Sequence, residues 1–111
     1  GLGDVYKRQF LGRWCRLIAV KVTSTEITVD GHAGYAASGS DIVCAGVTAL
    51  FQSLVKSILS LTNDKIEYCL RPGASKIVYR SLSEKSRVLI DSFFIGISMI
   101  SEEFPEYVKI L

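Results

Sequence analysis

The chain holds one histidine, three cysteines and two prolines in 111 residues, and no block of like charge. A lone histidine and no CxxC pair exclude the ligand spacing of a zinc site. An odd cysteine count also speaks against a disulfide framework and fits a reducing compartment, so a cytoplasmic location is expected. The 13 basic and 11 acidic residues leave a net charge of +2, with the basic ones scattered. Without a basic stripe, nucleic-acid binding is not expected. No uninterrupted apolar run reaches the roughly 20 residues that cross a bilayer, and the N-terminus has no basic-then-apolar signal pattern. No membrane partner and no cofactor are expected.

What is present is a globular mixture, 49% hydrophobic against 22% charged. The length suits one domain, and a domain so small gains from burying a further face, so a homodimer is expected. The opening GLGDVYKRQ has neither hydrophobic period and reads as the translation of a transposon end used in preparing sequencing libraries. Residues 1–9 are therefore expected to be a scar of processing.

From Ile18 the pattern becomes regular. Ile18 to Thr23 and Glu26 to Asp30 are short, β-branched and alternating, and predict two strands joined at Ser24-Thr25. Gly31 to Ser40, with three glycines, predicts a loop. Val43, Val47, Leu50, Leu54, Ile58 and Leu61 recur at helical steps, with Phe51 and Val55 widening the face, and predict a helix over Asp41 to Leu61. Asp41 or Ser40 is its expected N-cap, and Thr62-Asn63-Asp64 its end. Lys65 to Leu70 and Lys76 to Arg80 predict a hairpin around Arg71-Pro72-Gly73. Ser81 to Glu84 has capping-box spacing and opens a second helix, roughly Ser83 to Phe104, which Pro105 stops. Its stripe is Leu89, Phe93, Ile97, Ile100 and Phe104, with Phe93 and Phe94 both expected in the core. Tyr107 to Ile110 reads as an edge strand. The order β-β-α-β-β-α-β implies an α+β fold, a two-layer sandwich with two long helices on a small, mostly antiparallel sheet.

The chemistry concentrates in GHAGYAASGSDIVCAG, residues 31–46, which sets the only histidine twelve residues before a cysteine. With Asp41 as N-cap, Cys44 falls in the first helical turn, where the helix dipole and free N–H groups favour a thiolate nucleophile. Its backbone N–H is an expected oxyanion donor. The alternative is that Cys44 is a small packed hydrophobe. His32, leaving the second strand, can reach the helix start and serve as general base, or it is an ordinary loop histidine. Asp41 either caps the helix or orients the His32 ring. Gly34 and Gly39 give the loop freedom, with Tyr35 on it as a substrate contact. It is then a lid over a peptide or else a plain turn. Cys69 lies on the strand face opposite Ile66, Tyr68 and Leu70 and reads as passive. Asp91, Glu102 and Glu103 read as a solvated helix face.

The run GHAGYA, then DIVCAGVTAL, then the Pro72-Gly73 hairpin and LIDSFFIGISMISEEFPEYVKI, resembles the bacterial ribosomal-processing cysteine protease family, Prp. The resemblance covers Leu17 to Leu111. It implies a catalytic pair of His32 and Cys44, with Gly31 and Asp41 in the surrounding motif, a homodimer, and removal of the N-terminal extension of large-subunit ribosomal protein L-twenty-seven after an aromatic pair. Members begin at the first strand, where Leu17-Ile18-Ala19-Val20 stands. Residues 10–16 match no part of the family, so residues 1–16 are expected to be a non-native leader, 17–111 the domain, and Leu17 the start, read as Met. Thr48 replaces the family's usual serine and keeps its hydroxyl. Gly46 stands where alanine is common. The rival functional reading is a non-catalytic ribosome-associated module that binds an aromatic-rich tail. A redox or metal protein is disfavoured by the lone histidine and the separated cysteines.

Overall fold

The computed structural model describes residues 17–31, 38–71 and 73–111, with the backbone alone for 38–41. The leader expected at 1–16 lies outside these residues.

Strands β1 (Ile18–Val22) and β2 (Glu26–Asp30) pair antiparallel, with Val20 opposite Val29 and Val22 opposite Ile27. Their alternation sends Ile18, Val20 and Ile27 inward and leaves Lys21 exposed. Thr23 holds the turn between them, its hydroxyl accepting from the amides of Thr25 at 3.2 Å and Glu26 at 3.0 Å.

Helix α1 runs Ser38–Leu61. It begins three residues before the expected Asp41, so Gly39 and Ser40 belong to the helix and not to the loop, and Asp41 is in the first turn rather than at the cap. Once a helix is nucleated, each added residue gains a hydrogen bond for one fixed backbone, and this outweighs the weak propensity of a Ser-Gly-Ser run. Over Ile42–Leu61 the helix is also long and apolar enough to cross a bilayer by length and composition, which a search for uninterrupted runs overlooks because polar residues, the charged Lys56 among them, break the run. Here its apolar face lies in the core: Val43, Val47, Phe51, Leu54, Val55 and Ile58 are all buried. Leu61, expected on that face, is 60% exposed at the end of the helix.

Strands β3 (Glu67–Cys69) and β4 (Ala74–Val78) form the hairpin, with Tyr68 opposite Ile77. Strand β3 is shorter than its expected range and lies within it, whereas β4 is set nearer the turn than expected; just past β4, Tyr79 donates its hydroxyl to the Thr23 carbonyl at 2.7 Å. Helix α2 (Glu84–Glu103) then crosses back to β5 (Val108–Ile110), which lies parallel to β1. The sheet order is β3-β4-β2-β1-β5, antiparallel at every other junction. This is the expected two-layer α+β arrangement. The inner sheet residues, α1, and Ile90, Phe93 and Ile97 of α2 form one core. Each fully buried aliphatic or Phe side chain contributes about 1.5–3 kcal/mol. Phe51 and Phe93 meet edge to face with centroids 6.2 Å apart, tying the helices together. Phe94 faces outward at 39% exposure, because its neighbour Phe93 takes the inward position and consecutive helical residues point about 100° apart.

The N-cap of α2 is Ser83, not the Ser81 that the capping-box spacing suggests. Asp64, just beyond α1, accepts from the Ser83 amide at 2.9 Å, the Ser83 hydroxyl at 2.7 Å and the buried Ser86 hydroxyl, and so joins the end of one helix to the start of the next. The Ser86 and then the Ser83 bonds hold the Asp64 carboxyl below its usual range. A group depressed on folding stabilises the fold above its unfolded value, near 4, and that contribution is lost as pH falls through the folded value. Asp64→Asn is therefore expected to unfold at lower denaturant than the parent at pH 7, with the gap closing below about pH 4. Urea midpoints at several pH values check this, and a gap that does not narrow as the pH falls would refute it.

Candidate active site

Three chain segments meet at the end of the sheet where β2 leaves and β4 begins. Gly31, the first residue past β2, has φ +90°, and a Cβ there would stand 2.3 Å from the Leu17 carbonyl oxygen. Only glycine fits so close a backbone approach at that φ. Its N–H donates to the Gly73 carbonyl at 2.8 Å. Gly73 also has positive φ, +78°, and the Ala74 amide closes the turn on the Arg71 carbonyl at 3.1 Å.

Above this junction lies a cleft of about 360 Å³, and Cys44 is in its wall. Val47, Thr48 and Gln52 continue the α1 side, Ile18 and Val29 form the floor, and Leu70, Arg71 and Ser75 stand opposite. The thiol is half-buried against the core, on a helix whose packing fixes it, yet it opens on the cleft. A roomier hollow of about 490 Å³ lies at the other end of the sheet, between 63–67 and 78–81. It holds neither cysteine nor histidine, and its Asp64 is committed to capping α2.

The early start of α1 changes the electrostatics expected at Cys44. Counted from Ser38 it is the seventh helical residue, in the second turn, whereas the free amides and the pull of the helix dipole belong to the first. Its own amide is inside the helix, where it is committed to the carbonyl four residues back, and so it is not a free oxyanion donor. Asp41 holds the first-turn position, where an acid is favoured by the dipole. Gly39 lies in the helical backbone, and this removes it from the loop expected to be mobile. His32, Gly34 and Tyr35 lie outside the described residues. Gly31, directly before His32, is the described anchor of that segment.

Cys69 is exposed on the outer sheet face, paired in register with Lys76 and absent from the cleft, as its alternation suggested. Asp91, Glu102 and Glu103 are exposed. Among the described residues, no three His, Cys, Asp or Glu side chains are grouped to hold a metal. The sequence reading missed the β3–β4 turn as a wall of the cleft. The Pro72-Gly73 pair marked a turn in the sequence, but nothing local showed that Gly73 would lie beside Gly31.

A partly accessible thiol on a rigid helix, open to a peptide-sized cleft, is the frame of a cysteine hydrolase. Residues 17–109 match the family described as cysteine protease Prp, and the chain belongs to that family. The ribosomal processing cysteine protease Prp of Staphylococcus aureus is 26% identical over 89 residues, which span 78% of this chain and 84% of that protein. Protein SMU.848 of Streptococcus mutans superimposes with a TM-score of 0.76 at 27% identity, over 85% of this chain and 91% of that one. The Staphylococcus aureus protease in complex with a substrate peptide gives 0.75 at 22% identity, over 86% and 96%. The same protease with a covalently linked product peptide gives 0.73 at 24%, over 85% and 95%. The chain is thus a cysteine protease, and the reading of it as a non-catalytic binding module falls away.

Proposed function

We propose that this protease acts in the cytoplasm to remove the N-terminal extension of ribosomal protein L-twenty-seven, cutting after an aromatic pair. The observation that carries the reading is the Cys44 thiol in a cleft walled by Ile18, Val29, Val47 and Leu70, apolar surface suited to aromatic side chains. The relatives named for ribosomal processing support the substrate class.

In this mechanism His32 takes the Cys44 proton and the thiolate attacks the scissile carbonyl carbon. The tetrahedral adduct collapses to a thioester as His32 returns that proton to the leaving amine. Water, deprotonated by His32, then attacks the thioester, and the thiol and the new carboxylate are released. With Cys44 beyond the first helical turn, His32 is the chief source of the thiolate. Asp41 orients that ring from the first turn, and Tyr35, with Gly34 beside it, contacts the bound peptide. The working unit is a homodimer. Val88, Ile95 and Met99, spaced along α2 and 59–64% exposed, supply an apolar face for a second copy.

Incubation with a peptide spanning the L-twenty-seven extension, read by mass, tests the substrate. One cut after the aromatic pair is expected. An uncut peptide, or cuts scattered along it, would reject the assignment.

A further inference from the structure

The residue that precedes the proposed base, Gly31, is held through its own amide by the hairpin turn on the far side of the cleft. The Gly31 amide donates to the Gly73 carbonyl at 2.8 Å, and both glycines have positive φ. The turn itself is braced. The Ser75 hydroxyl donates to the Arg71 carbonyl at 3.1 Å and accepts from the Arg71 amide at 3.3 Å, and the Ala74 amide adds a third bond at 3.1 Å. The Gly73 carbonyl is therefore presented from a rigid frame. On its other side Gly31 abuts the Leu17 carbonyl, so it is held from two directions. Gly31, Gly73, Arg71 and Ser75 line the same cleft as Cys44.

The geometry points to Gly73 as a positioning residue for the proteolysis: its carbonyl fixes Gly31, and so sets where the segment bearing His32 begins relative to Cys44. This rests on the His32–Cys44 reading given above. Gly73 touches no reacting atom. Its effect passes through the backbone of Gly31, and a peptide seated in the cleft bears on the same turn that sets the base.

Two substitutions separate positioning from mere folding. Gly73→Ala strains a left-handed position, whereas Gly73→Asn is tolerated there. A reacting group misplaced by about 1 Å can cost about 100-fold. For Gly73→Ala the expected result is a kcat for the L-twenty-seven extension peptide lowered about 10–100-fold with KM within about twofold. Iodoacetamide labelling of Cys44 should slow in parallel while exposed Cys69 labels as before. Gly73→Asn should recover most of both rates. Ser75→Ala, which loosens the turn without straining it, should lower kcat about threefold. This variant keeps the test decisive if Gly73→Ala does not fold. A kcat and a Cys44 labelling rate unchanged in Gly73→Ala and Ser75→Ala, with the parent active and Cys44→Ala dead, would overturn the positioning role and leave the protease reading intact. Labelling of Cys44 that is equally fast in the parent and in His32→Ala would instead overturn the dyad, and the positioning role with it.

Discussion

Cys44→Ala is expected to lower peptide cleavage by about 10⁴-fold or more while leaving the fold in place. The size of the loss follows from the chemistry. Without the sulfur no thioester forms, and the residue left at that position has no lone pair to offer. Water would have to attack directly, against a general base placed for a different nucleophile. The structural cost is small, because alanine is the best helix former and Cys44 is only half-buried, so the change removes one sulfur from the cleft wall. A stability change of about 1 kcal/mol or less is expected. The check is a progress curve for the L-twenty-seven extension peptide at matched protein concentration, with a urea melt of both proteins. Residual activity above about 1% of the parent would mean that another group, such as the Thr48 hydroxyl one turn along the cleft wall, carries the attack. Cys69→Ala is the matched control, since that thiol lies on the opposite sheet face.

The elements that the sequence made legible are those whose periodicity answers to one large surface. The α1 positions Val43, Val47, Leu54 and Ile58 and the α2 positions Phe93 and Ile97 recur at helical steps because they all face the same sheet, so the two helices and their order could be read directly. The β1–β2 pair was equally plain, since alternation with β-branched residues is what a half-buried sheet selects. Boundaries were less legible, because they are set by interactions from outside the segment. Ser83 became the cap of α2 when Asp64, 19 residues earlier, took up its amide. The site divides in the same way. Cys44 and the glycine before His32 were visible as residue types in a suggestive spacing. The floor and far wall of the cleft come from Ile18, Val29 and the Arg71–Ser75 turn, which meet Cys44 only through the sheet order. No local pattern encodes the bond from Gly31 to Gly73. It exists because β2 and β4 are neighbours, with Asp30 opposite Ala74.

That junction makes Gly31→Ala the most damaging single methyl that the fold can be asked to accept near the site. The added carbon would stand 2.3 Å from the Leu17 carbonyl oxygen, far inside van der Waals contact, and the clash is with backbone, not with a side chain that can rotate away. Neither partner can yield cheaply. Leu17 is tied to the sheet by the next amide, Ile18, which donates to the Tyr107 carbonyl at 2.7 Å, and Gly31 is tied by its bond to Gly73. Positive φ at +90° adds a strain that alanine bears and glycine does not. Together the strained backbone and the forced displacement are expected to cost about 2–4 kcal/mol, a large part of the stability of a small domain. The activity of the molecules that remain folded should fall as well, because the only relief is to swing the chain after Asp30 away from Leu17, and that moves the backbone on which His32 follows. Urea midpoints and kcat per folded molecule check both claims. Gly31→Asn should fail as badly as alanine, because its tolerance of positive φ does nothing for the clash. Recovery by asparagine would show that strain alone, and not the close approach of Leu17, demands glycine at this position.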